Sequence, residues 1–79
     1  MRPNDPSIWI KLSELEGKTK NNIAMHQSRA EFLYLTGQND KALKQLKTAL
    51  ELSKDNYLIS ARIEQRAREI KNSNEGLDF

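Results

Sequence analysis

The chain contains no cysteine, a single histidine, and no apolar run long enough to span a bilayer. Without thiols there is no disulfide framework and no thiolate metal site, a composition that suits the cytosol and an unstapled periplasmic domain equally. The lone imidazole, His26, has no second ligand of its kind and no nucleophile elbow to serve, so a packing role with one hydrogen bond is expected, with no metal and no cofactor. A membrane span takes roughly 18 to 20 apolar residues. None is present, and Met1-Arg2-Pro3-Asn4-Asp5 starts no apolar signal core, so neither membrane insertion nor an export address is expected in the chain as given. It reads as cytoplasmic if complete, and as a piece of a longer protein if its parent is exported. Charge of one sign is also missing as a block: 13 basic and 11 acidic residues are mixed along the chain for a net charge of +2. Lys41, Lys44 and Lys47 make one basic edge and Arg62, Arg66 and Arg68 another. Neither is interleaved with aromatics or a glycine-rich loop, so nucleic acid is not an expected partner.

What is present is helical patterning on 79 residues, 37% of them hydrophobic. That makes one small domain near the lower limit for a single core. The spacing predicts four helices. The first starts at an Asp5 cap with Pro6 at its first position, carries Ile8, Trp9, Leu12 and Leu15 on one face, and ends at Gly17 and the polar run from Lys18 to Asn22. The second spans about Asn22 to Thr36 with Gly37 as its C-cap. Its apolar residues lie on several sides, which marks it as central. The third begins at an Asp40 cap and carries Ala42, Leu43, Leu46, Ala49 and Leu50 as a stripe. After the turn Lys54-Asp55-Asn56, the fourth spans about Asn56 to Lys71, buried through Tyr57, Leu58 or Ile59, Ile63, Ala67 and Ile70. Connections this short make consecutive helices antiparallel neighbours. The expectation is an all-α domain over residues 6–71, with the last helix as a cap, and a flexible tail over 72–79 in which Leu77 and Phe79 are mobile.

Gly37, Ala42, Leu46, Ala49 and Leu50 resemble the second half of a tetratricopeptide repeat, with Ala30 and Leu33 at the small and aromatic positions of the preceding helix and Lys54 where proline is common. Trp9 and Leu12 are similar to the Trp and Leu of an earlier repeat. The order Pro6-Ser7-Ile8-Trp9, His26-Gln27-Ser28-Arg29-Ala30-Glu31-Phe32, Gly37-Gln38, Ala42-Leu43-Lys44-Gln45-Leu46, Ala49-Leu50 and Ser60-Ala61-Arg62-Ile63 resembles the C-terminal end of the beta-barrel assembly-enhancing proteases. In that family a periplasmic HExxH zinc metalloprotease and chaperone domain precedes a tetratricopeptide tail. The resemblance implies a periplasmic location and a part in outer-membrane protein quality control, with the assembly machinery or its clients as protein partners. It carries over no catalytic residue, because His26 is followed by Gln27-Ser28-Arg29-Ala30 and the HExxH helix is missing.

If the first helix of each hairpin lines a concave surface, the residues facing a peptide partner are Gln27, Glu31 and Tyr34 on the second helix and Leu58 and Arg62 on the fourth, joined by Ile10 and Glu14 from the first. The competing reading has the same residues facing solvent or the rest of a larger protein. Capture of a C-terminal carboxylate is not expected, since Gln27 and Glu31 stand where cations are needed. Glu14 and Glu16 face different directions, and Glu64 and Arg68 suit an exposed ion pair four residues apart, so no acid–base pair is assigned. The function expected is a non-catalytic protein–protein interaction module, monomeric in isolation. A cytosolic adaptor for an unrelated peptide and a self-associating scaffold paired through the apolar end of the first helix are the alternatives.

Overall fold

The computed structural model describes residues 5–75, and among these every regular element is a helix: α1 (Pro6–Lys18), α2 (Asn22–Leu35), α3 (Asn39–Leu52) and α4 (Tyr57–Glu75). Each helix packs on the next in sequence. The intervening connections, 19–21, 36–38 and 53–56, are short enough to force antiparallel hairpins.

The starts and stops follow local chemistry. Asp5 caps α1 by accepting hydrogen bonds at Oδ1 from the Ser7 amide at 3.0 Å and the Ser7 hydroxyl at 2.8 Å, with Pro6 at the position where a missing N–H costs nothing. Those two bonds stabilise the ionised form and hold the Asp5 carboxyl below its ordinary value. Both α1 and α2 end in Schellman motifs. After α2, the Gln38 amide reaches the Leu33 carbonyl at 2.8 Å and the Gly37 amide reaches Tyr34 at 3.1 Å, with Gly37 left-handed at φ 82° as expected of that glycine. After α1, the Asn21 amide bonds the Glu16 carbonyl at 2.8 Å and the Lys20 amide bonds Gly17 at 3.2 Å. Here the left-handed residue is Lys20, at φ 62°, and Gly17 stays inside the helix. The expectation that Gly17 ends α1 is therefore corrected. Its lack of a side chain serves packing instead, since a Cβ there would stand 3.1 Å from the Met25 sulfur of α2.

Two further boundaries differ from the sequence reading. Asp40 is not the cap of α3; Gln38 holds that position with no side-chain cap bond, and Asp40 sits in the first turn, where a carboxylate favours the positive end of the helix dipole. Asn56 caps α4 by accepting from the Ile59 amide at 3.2 Å, and α4 continues to Glu75, past Lys71. Leu77 and Phe79 lie outside the described residues.

The core is built on small residues. Ala30, Ala42 and Ala49 are fully buried at the seam of α2 and α3, joined by Leu46 and by Ile63 and Ile70 of α4, with Leu33, Leu43, Leu50 and Ala67 packed around them. α3 buries the stripe its sequence predicts. In α1, Ile8, Leu12 and Leu15 face solvent, and the helix meets α2 through Ser13, 2% exposed, and Gly17. Small residues four apart let two backbones approach closely, and that close packing outweighs burial of the leucine face. Tyr57 is corrected, being 84% exposed at the start of α4, and Leu58 is 68% exposed while Ile59 turns inward.

Enlarging either seam alanine tests this packing. Ala42→Leu and Ala49→Leu are each expected to destabilise the domain by about 1–3 kcal/mol, read from the midpoint of urea unfolding. A change under about 0.5 kcal/mol, the size typical of surface sites, would show that the seam is not close-packed.

Candidate functional site

α3 packs against both α2 and α4, α1 packs against α2, and a groove of about 640 Å³ opens between α1, α2 and α4. Trp9 and Glu16 line it from α1, Ala24, Gln27, Ser28 and Glu31 from α2, Leu46 from the floor, and Leu58, Ala61, Arg62, Gln65, Arg66 and Glu69 from α4. Of the residues expected to face a partner, Gln27, Glu31, Leu58 and Arg62 are brought together here. Tyr34 does not line the groove; it packs against the core, and its hydroxyl lies 2.9 Å from the Ser73 hydroxyl. Ile10 and Glu14 are also outside the lining. The register of α1 explains this, because its inward face centres on Ser13 and so turns Trp9 and Glu16 toward the groove.

Glu31 is not a free contact residue. It is 8% exposed and accepts two hydrogen bonds from the Arg66 guanidinium, Nε to Oε2 at 2.6 Å and Nη2 to Oε1 at 2.8 Å. Arg66 also reaches Glu69 at 3.0 Å and lies 5.1 Å from the centre of the Tyr34 ring. A bidentate carboxylate, a second carboxylate and an aromatic face leave this cation fully occupied. The Glu31 hydrogen bond is the largest cause that raises the Arg66 pKa above its ordinary value, opposed by burial. A raised pKa stabilises the fold fully below the ordinary arginine value and is lost only as pH rises through the raised one, so this contribution is constant across the neutral range.

Arg66 is the residue that the sequence reading missed, having been assigned to a solvated basic edge with Arg62 and Arg68. Its position was legible in part, since Leu58, Arg62 and Arg66 recur every four residues and so share one face of α4. Arg68 donates to Gln65 at 3.0 Å rather than pairing with Glu64. On the α1 wall, Glu16 accepts from the buried Ser28 hydroxyl at 2.6 Å. His26 places Nδ1 2.7 Å from the Gln45 side-chain oxygen, tying α2 to α3 in the packing role expected of it.

No group of three acidic or histidine side chains among the described residues could hold a metal ion, and no helix among them is long and apolar enough to cross a membrane. On the outer face of α1, Ile8, Leu12 and Leu15 form an exposed apolar stripe. Three partly exposed side chains do not by themselves supply the roughly 600 Å² per partner that stable association buries. Comparison with protein-family models, curated proteins and solved structures yields no match.

The strut and the groove surface separate by mutation. Glu31→Gln leaves Arg66 half-buried with only Glu69 as counter-ion and is expected to cost about 2 kcal/mol in urea unfolding, below the range for a fully buried pair. Arg62→Gln is expected to stay within about 0.5 kcal/mol of the parent chain. Equal losses would place Arg62 in the structural network.

Proposed function

We propose that this chain is a non-catalytic interaction module that holds a segment of another polypeptide in the groove between α1, α2 and α4. The observation that carries the reading is the make-up of that groove. A tryptophan and an exposed leucine flank polar and ionic side chains, a combination that suits peptide recognition. Glu31 and Glu69 are paired with Arg66, and no histidine lines the groove; Glu16 is bonded to the Ser28 hydroxyl through one oxygen. Leu58 is the most accessible apolar residue of the lining. A photoreactive amino acid at position 58 is expected to crosslink a polypeptide in cells of the source organism, whereas the same group at Thr48, exposed on α3 and outside the groove, is expected to give none. Equal labelling from both positions would remove the groove as the binding surface.

The resemblance to the beta-barrel assembly-enhancing proteases supports a more specific placement: the C-terminal tetratricopeptide part of a periplasmic zinc metalloprotease and chaperone, working on outer-membrane proteins. Sequencing the coding region upstream is expected to reveal a signal peptide and an HExxH motif in the same reading frame. A stop codon directly before Met1, with neither feature, would favour the cytosolic adaptor.

A further inference from the structure

The ionic groups of the groove divide into those neutralised within the fold and those that are not. Arg66 is neutralised by Glu31 and Glu69. Two groups are left. Arg62, on the α4 wall, has no hydrogen-bond or ion-pair partner among the described residues, and it also borders a smaller hollow against Asn21, Ile23 and Ile59. Glu16, on the α1 wall, is bonded to a neutral hydroxyl through one oxygen and has no cation within ion-pair distance among the described residues. Each shares a helix face with an apolar side chain: Leu58 is one helical turn before Arg62, and Trp9 is two turns before Glu16.

We propose that the groove is bipolar and selects polypeptide segments carrying both charges, an Asp or Glu side chain set against Arg62 and a Lys or Arg side chain set against Glu16, with apolar residues seated beside Leu58 and Trp9. This rests on the groove being a polypeptide site. Charge complementarity fixes the direction in which the segment lies, because reversing it sets like charges against each other on both walls. Arg62 acts on a side-chain carboxylate within the segment. A chain terminus is not required, since no second cation stands near enough to form a clamp: Arg66 is already consumed.

The test is selection from a random library of ten-residue peptides with acetylated and amidated ends, using the immobilised full chain. Retained peptides are expected to be enriched in an acidic and a basic residue at a fixed separation, with retention falling as salt rises. Arg62→Gln is expected to abolish the acidic preference alone, and Glu16→Gln, which keeps an acceptor for Ser28, the basic preference alone. Each variant should weaken a selected peptide about fivefold, as for a partly exposed ion pair. Circular dichroism melts of both variants, matching that of the parent chain, establish that the change is not one of folding. Retained peptides lacking either preference, or preferences that survive in the variants, would overturn the bipolar reading and leave the groove as a polypeptide site. Retention of no peptide at all, or of none displaced by a competing selected peptide, would overturn both readings.

Discussion

At the seam between α2 and α3, Ala30, Ala42 and Ala49 have no exposed surface, and the placement of every other helix depends on how closely they let the two backbones approach. A methyl group fills little space, so the leucines beside the alanines reach across the seam, with Leu46 buried beneath α4. α4 then packs through Ile63 and Ile70, and its Leu58, Arg62 and Arg66 edge is carried over α2. The groove is thus the space left by a close-packed pair of helices and the helix that must cover them.

The ion pair between Glu31 and Arg66 joins elements 35 residues apart in the chain. A buried pair of this kind gains little over apolar residues of similar volume, because desolvation offsets most of the attraction. Its effect here is geometric. Bidentate bonding fixes the separation and rotation of α2 against α4, the ring of Tyr34 backs the guanidinium, and Glu69 closes the outer side. With that set, Arg62 and Glu16, which have no ion-pair partner among the described residues, stand on opposite walls of the groove. Small polar residues do comparable work elsewhere: Ser28 holds Glu16, and Ser60 donates to the Ser53 carbonyl at 2.6 Å where α3 turns into α4.

Much of this could be read from the residues in order. The Asp5 cap, the left-handed Gly37 and the α3 stripe are local features, fixed by backbone sterics, capping chemistry and helical periodicity. At α1 two local rules compete. In α1, Ile8, Leu12 and Leu15 satisfy the usual pattern of a buried face, yet Ser13 and Gly17 offer closer backbone approach, and the latter prevails once α2 is present as a partner. At the end of α1, a lysine takes the left-handed position because the hydrogen bonds of the Schellman turn, with Asn21 bonding Glu16 and then capping α2, require that register.

The amino-acid sequence alone determined the helices, their number and their antiparallel order, because these depend on interactions within a few residues and on connections too short for any other arrangement. Gln27, Glu31, Leu58 and Arg62, four of the seven side chains expected to face a partner, line one groove, since helical periodicity sets which positions share a face. Which of them are available was decided only by tertiary structure. Whether a charged side chain is free or spent depends on what lies across from it, and for Glu31 that was an arginine on a helix the sequence could place beside it only through the packing of a third.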